Sequence, residues 1–310
     1  MGAASGVCPA LVGPTAVGKT RLVTTLAALL PLEVISLDSR QIYRGLRIGT
    51  AQPTAAEQEA CPHHLIDFVD PDENYSAQRF RDDFIRAHGE IAARGGRPLL
   101  VGGAGMYLTA LVQGFMAIPG HTPERLQEVR AGLAPLDDRE IRERLAAVDP
   151  AAHRRIHPRD RQRSQRALEV QLISGLSQTR LQAEQRPDPA AGLAFPVFVL
   201  ERETGDLDGR IARRTAQMLA GGWIEETAAL LPRHSAQGPG LSSLGYREIV
   251  AHLTGALPRG GLAPAIVQVT RQYGKRQRTW FRQVEAAGRF HPDDPALAAA
   301  LLGALTAPGP

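Results

Sequence analysis

The stretch that most constrains this chain is Gly13-Pro14-Thr15-Ala16-Val17-Gly18-Lys19-Thr20, a Gly-x4-Gly-Lys-Thr spacing near the N-terminus. The apolar pair Leu11-Val12 precedes it, and a segment of helical character over residues 21–30 comes after it. That order calls for a strand, a glycine-rich turn and a helix start in immediate succession. The backbone N–H groups of the turn and the positive end of the helix dipole then converge on one point. The anion this suits is a phosphate chain, with Lys19 reaching the outer phosphates and Thr20 placed to hold Mg²⁺. Lys19 and Lys275 are the only two lysines in the chain, every other strong base being arginine. A compact ammonium therefore stands where phosphate binding needs one. The motif specifies phosphate without specifying a nucleotide.

Further along, residues 32–37, 98–101 and 195–200 read as buried strands separated by helical patterns. This alternation predicts an α/β fold, a P-loop NTPase-like parallel sheet flanked by helices. The second strand ends at Asp38, and in open α/β sheets ligands bind beyond the carboxyl ends of the strands. Asp38 thus has two candidate roles, a metal-bound carboxylate or a general base. His63-His64 precede a short run expected to be a strand over residues 65–68. Adjacent residues of an extended segment face opposite ways, which argues against a shared metal. Ser76 is the expected N-cap of the next helix. The turn Gly102-Gly103-Ala104-Gly105 lets backbone approach a ligand closely.

From residue 119 to residue 189 strand-like runs vanish and Arg, Glu and Ala recur at helical spacing. This predicts a small all-helical insertion domain between two parts of the core, residues 7–118 and 190–290, with residues 1–5 and 291–310 as loose ends. Within the insertion, residues 153–166 carry six arginines against one acid, a density that favours contact with a phosphate backbone over a merely solvated face. Arg210 and Arg214, four residues apart on one helix face, either reach the P-loop anion or pair with Glu203 and Asp206. Over residues 267–284, Arg271, Lys275, Arg278 and Arg282 share one helix face, with Val269, Tyr273, Trp280 and Val284 opposite as the expected core face. A basic stripe backed by an apolar one suits a helix gripping a nucleic-acid backbone.

Bulk properties agree. The 310 residues are 43% hydrophobic with net charge +4, and the pI near 9.4 points to a polyanionic partner. Cys8 and Cys61 make neither a disulfide framework nor a zinc site, so a cytoplasmic setting is expected. No apolar run approaches a membrane span and no signal-peptide pattern opens the chain. A monomer is expected.

The ordered motifs resemble the bacterial tRNA dimethylallyltransferase family. The resemblance rests on Gly13 to Thr20, Ser36-Leu37-Asp38-Ser39-x-Gln41-Ile42-Tyr43-Arg44, Ile48-Gly49-Thr50-Ala51-x-Pro53 and Tyr75-Ser76-Ala77. It continues through Arg155-Ile156-His157-Pro158-x-Asp160, Gln162-Arg163-x-x-Arg166-Ala167-Leu168-Glu169-Val170, Gly245-Tyr246-Arg247-Glu248 and residues 270–281. It implies transfer of a dimethylallyl group from its diphosphate to N6 of the adenosine 3′ to the anticodon, in tRNAs reading codons that begin with U. Asp38 would be the base. Lys19, Arg214 and Mg²⁺ on Thr20 would steady the departing diphosphate. Asp38, Ser39, Arg40 and Gln41, then Gln162, Arg163, Ser164, Gln165 and Arg166, then Ser242, Ser243, Leu244, Gly245, Tyr246 and Arg247 match segments that contact the tRNA anticodon stem-loop. Ala104 stands where the family carries a hydroxyl, Gly274 where it more often has Ala, and Arg125 lies one place off the family's register. Rival readings are a P-loop kinase using ATP, an isopentenyltransferase acting on free adenine nucleotides, and a non-catalytic RNA-binding protein.

Overall fold

In the computed structural model, which describes residues 6–307, the chain divides into two compact units, residues 113–188 and the remainder. In chain order the first stretch of the larger unit holds β1 (Ala10–Val12), α1 (Lys19–Ala27), β2 (Leu32–Leu37), α2 (Ala55–Ala60), β3 (His63–His64), α3 (Ala77–Ala93), β4 (Arg97–Gly102) and α4 (Gly105–Val112). The smaller unit is α5 (Pro123–Leu133), α6 (Asp138–Val148), α7 (Pro150–Arg155), α8 (Arg161–Ser174) and α9 (Gln178–Glu184). The larger unit resumes with β5 (Val197–Leu200), α10 (Thr204–Ala220), α11 (Trp223–Leu230), α12 (Tyr246–Leu253), α13 (Arg259–Phe281), β6 (Gly288–Phe290) and α14 (Pro295–Thr306).

The sheet is parallel throughout, in the order β3-β2-β4-β1-β5-β6. Its strands are covered on both faces, which is why all six residues of β2 are buried. Alternate residues feed two cores. Val12, Ile35, Leu37 and Leu100 pack with Phe80, Phe84 and Ile91 of α3, while Leu11, Val34, Leu99 and Phe198 pack with Val23 and Leu26 of α1. A third cluster joins Ile42, Tyr43 and Leu46 to Trp223, Tyr246 and Ile266. The carboxyl ends of β1, β2 and β4 all open toward the glycine-rich turn, because parallel strands share one direction.

Three expectations are corrected. The strand expected over residues 65–68 is absent: pairing stops at His64, since Leu65 and Asp67 take φ of 59° and 55°, a region incompatible with a strand. His63 and His64 do diverge as alternation requires. His63 Nδ1 meets Cys61 O at 2.7 Å and His64 Nε2 meets Glu33 Oε2 at 2.7 Å. The expected loose tail contains α14, capped by Asp294 and burying Leu297, Leu301 and Leu305 at four-residue intervals against α1. Its Ala-rich composition hid that stripe. Residues 1–5 lie outside the described residues.

The helical unit begins at Gln113, six residues before the expected boundary, where the amide of Asp188 donates to Gln113 O at 3.1 Å. It has its own core of Val129, Leu133, Ile141, Leu145, Ala152, Ile156, Ala167 and Leu168. Side-chain caps at Thr122, Asp137, Asp149, Asp160 and Ser177 start its five helices, each satisfying N–H groups the first turn leaves open.

Candidate active site

The glycine-rich turn is shaped by Ala16 and Gly18, whose φ values of 62° and 115° flip successive peptides. Arginines take two of its carbonyls. Arg210 Nε donates to Ala16 O at 2.7 Å, and Arg202 Nε donates to Val17 O at 2.8 Å. Lys19 Nζ folds over the turn, donating to Gly13 O at 3.0 Å and Pro14 O at 3.1 Å.

A cavity of about 610 Å³ opens in front of this turn. Thr15 to Thr20 form one wall, and Asp38, Gln41 and the segment 50–53 form another. Arg210, Arg213, Arg214, Tyr273 and Gln277 close it from α10 and α13. Of the two accounts open for Arg210 and Arg214, the reach toward the turn is the one observed; Asp206 pairs with Arg202 at 2.7 Å instead. Arg214 makes no hydrogen bond or ion pair among the described residues, yet burial pushes its pKa down, with the Asp38 carboxylate opposing and Arg210 adding to the shift. Burial, helped by Arg214, likewise pushes Lys19 down to about 8. Two desolvated cations sharing one carboxylate are an electrostatic demand for an anion.

Asp38 sits where the sequence places it, just past β2. Its Oδ1 accepts from Arg40 N at 2.7 Å and Gln41 N at 3.3 Å, a local Asx turn. Its second oxygen has no hydrogen bond among the described residues, and neither has the exposed Thr20 hydroxyl. Both line the cavity; the hydroxyl is an oxygen donor of the kind a hard divalent cation takes alongside several waters, and the free carboxylate oxygen is open to accept a proton.

Sequence reasoning missed Gln277. Its Oε1 accepts from Thr15 N at 2.8 Å while its Nε2 donates to Gly103 O at 2.9 Å. One buried amide therefore ties the glycine-rich turn to the turn after β4, and the only signal was its place among the family-like residues 270–281. The apolar face expected on α13 is corrected at the same time. The buried line is Leu262, Ile266, Gly274, Gln277 and Phe281, and Trp280 is 37% exposed. Of the expected basic face, Arg271 and Lys275 are exposed on α13, Arg278 is half-buried and Arg282 lies just past the helix end; Arg271 is within 3.4 Å of Asp208 on α10 and Arg278 is bonded to Thr204.

The residues expected to touch RNA fall into several places. Ser39 and Arg40 line a second cavity of about 410 Å³ with Tyr43, Tyr75, Tyr107 and Ser242. Ala104 opens the turn before α4, its amide bonded to Leu37 O at 3.0 Å. In the segment 242–247, Ser242 and Arg247 are exposed and Leu244 is half-buried. Ser243, Gly245 and Tyr246 are buried, Tyr246 completely, and offer no surface to a partner. Gln162, Arg163, Gln165 and Arg166 lie on the surface of α8, whereas Ser164 is buried among the helices of its own unit. Arg125 caps nothing and pairs with Glu128 at 2.7 Å. Among the described residues the only cluster of metal-ligating side chains is Asp70, Asp72 and His234, away from the cavity. No helix among them is long and apolar enough to cross a membrane.

Residues 41–284 match the family described as IPP transferase, and residues 7–68 match isopentenyl transferase. The chain is 46% identical over 279 residues to the tRNA dimethylallyltransferase of Alkalilimnicola ehrlichii, covering 88% of this chain and 86% of that one. It is 42% identical over 304 residues to the protein of the same name from Paraburkholderia xenovorans, covering 96% of each. Among solved structures, the full-length tRNA isopentenylpyrophosphate transferase of Bacillus halodurans matches with TM-score 0.68 and 34% identity over 96% of both chains. A eukaryotic dimethylallyltransferase acting on tRNA matches with TM-score 0.77 and 28% identity over 89% of this chain and 70% of that one. The chain belongs to the IPP transferase family, alongside the tRNA dimethylallyltransferases it matches.

Proposed function

We propose that this protein transfers a dimethylallyl group from dimethylallyl diphosphate to N6 of the adenosine 3′ to the anticodon, in tRNAs reading codons that begin with U. The observation that carries this reading is the cavity itself: the desolvated cations Lys19 and Arg214 line it together with the Asp38 carboxylate.

Chemically, the C1–O bond of the diphosphate breaks as the N6–C1 bond forms, and the oxygen keeps the electron pair. An exocyclic adenine amine is a weak nucleophile, so its proton must leave as the new bond forms. Asp38 accepts it. Lys19 and Arg214 meet the charge that grows on the diphosphate. The Thr20 hydroxyl would hold Mg²⁺, which would supply Lewis-acid neutralisation of that leaving group. To reach the cavity the adenine must leave its stack. The exposed residues among 39–41, 162–166 and 242–247, with Ala104 and the α13 stripe, are the surfaces we assign to the anticodon stem-loop. We place the reaction in the cytoplasm, with the protein as a monomer.

Incubation with unmodified tRNA and labelled dimethylallyl diphosphate, with ATP in a parallel tube, tests the proposal. Label passing to tRNA without ATP is the expected result. Phosphoryl transfer from ATP, or prenylation of free adenine nucleotides in preference to tRNA, would replace it with a rival.

A further inference from the structure

Tyr246 is completely buried although it sits in a segment assigned to RNA contact, so its hydroxyl works inside the protein. It accepts from Gly49 N at 3.1 Å and donates to Glu226 Oε1 at 2.6 Å. The other oxygen of Glu226 accepts from Arg47 N at 3.0 Å and Ile48 N at 2.9 Å. Three consecutive backbone amides are therefore held by side chains from α11 and α12. Trp223 seals the arrangement: a Cβ on Gly49 would lie 2.1 Å from its indole nitrogen, so the backbone at Gly49 is pressed onto the ring.

Immediately C-terminal to this clamp the chain forms the cavity wall, lined by Thr50, Ala51, Gln52 and Pro53. Gln41 Nε2 donates to Thr50 O at 3.3 Å and to Ala51 O at 2.9 Å, and Gln52 Nε2 donates back to Gln41 O at 2.8 Å. Gln41 N in turn rests on Asp38 Oδ1. Hydrogen bonds joined by short stretches of backbone connect Tyr246 and Glu226 to the carboxylate.

We propose that Tyr246 and Glu226 are positioning residues for the isoprenoid cavity, fixing the wall at residues 50–53 and, through Gln41, the aim of Asp38. This rests on the transfer reaction proposed above. Neither residue touches the reacting atoms. Removing the phenol hydroxyl strands Gly49 N and one Glu226 oxygen, and a stranded polar pair is enough to let a loop shift.

The test is Tyr246→Phe, which keeps the ring and its edge-on contact with Trp223. KM for dimethylallyl diphosphate is expected to rise roughly tenfold, about 1.4 kcal/mol, with kcat falling less and affinity for an anticodon stem-loop unchanged. Glu226→Ala is expected to reproduce this. Glu226→Gln keeps a carbonyl for the two amides but leaves the Tyr246 O–H without its acceptor, and is expected to give a KM between wild type and Glu226→Ala. Circular dichroism matching wild type shows that each variant folds. Unmoved KM in both disrupting variants, equal KM for Glu226→Gln and Glu226→Ala, or a loss confined to stem-loop affinity would overturn the clamp. Should wild type transfer no label, the reaction assignment fails. The clamp is then judged by calorimetry with inorganic diphosphate, where Tyr246→Phe is expected to bind roughly tenfold more weakly and equal affinity would overturn it.

Discussion

Cations are deployed in two ways in this chain. Around the cavity, Lys19 and Arg214 are desolvated, share Asp38, and are held against backbone carbonyls or nothing at all. On α8 the surface arginines are already matched: Arg161 with Asp138 at 2.7 Å and Arg163 with Asp160 at 2.8 Å. The first arrangement stores an unmet electrostatic demand at one point, which suits a small, highly charged leaving group. The second stores almost none, since exposed ion pairs contribute about 0–1 kcal/mol each. It suits a long polyanion whose phosphates displace those partners one by one. Burial, more than charge count, separates a reaction site from a gripping surface.

The largest effect expected from breaking this contrast is at Asp38. Asp38→Asn keeps an oxygen for the amides of Arg40 and Gln41 and so keeps the turn, while removing the proton acceptor. Turnover should fall about 10²- to 10⁴-fold, the range for a lost general base, with stem-loop affinity retained. Single-turnover transfer measured beside a filter-binding titration checks both halves. Unchanged turnover removes Asp38 from the chemistry.

Next in size is a proton linked to Lys19. The unfolded chain holds this proton up to its ordinary 10.5, whereas the folded cavity releases it near about 8. Folding stability therefore rises between those values, and below 8 the empty cavity carries the cost of an unmatched ammonium. An isoprenoid diphosphate reverses the balance: the ammonium becomes favoured, its pKa climbs, and binding takes up a proton between about 8 and 10.5. Affinity should fall above pH 8 by up to about tenfold per pH unit. Calorimetry of dimethylallyl diphosphate binding in two buffers of different ionisation enthalpy reads the uptake directly. Lys19→Met should abolish it, and a wild-type titration with no proton exchange would mean the lysine keeps its charge when the cavity is empty.

How much of this was legible depends on how local its cause was. The turn at 13–20, the end of β2 at Asp38 and the cap at Ser76 are set by neighbours in sequence, and each stands where spacing put it. Gln277 was not legible as part of the site, because its partner amide lies 262 residues away and nothing near it marks it as buried. α14 was misread because composition was weighed over the spacing of Leu297, Leu301 and Leu305. The absent strand at 65–68 turns on positive φ at Leu65 and Asp67, where Asp67 instead caps Gly45 N at 2.8 Å. Tyr246 shows the limit of a segment-level resemblance, which places a stretch of chain and leaves the direction of each side chain open.

The smallest expected effect tests the gripping surface. Arg163 is paired with Asp160, whereas Arg159, four residues earlier, forms no ion pair among the described residues. If pre-formed pairs made α8 a finished surface, only Arg159→Ala would weaken stem-loop binding. The energies argue otherwise. An exposed pair of about 0–1 kcal/mol yields readily to a phosphate, and each phosphate left without its arginine takes about one unit off the slope of log affinity against log salt. Arg163→Ala and Arg159→Ala should therefore weaken binding by similar, few-fold factors, flatten the salt dependence by about one unit each, and leave KM for dimethylallyl diphosphate untouched. Binding isotherms at several salt concentrations decide it. A wild-type slope in Arg163→Ala beside a reduced one in Arg159→Ala would show that intramolecular pairing outcompetes RNA, and would confine the grip to arginines without a partner.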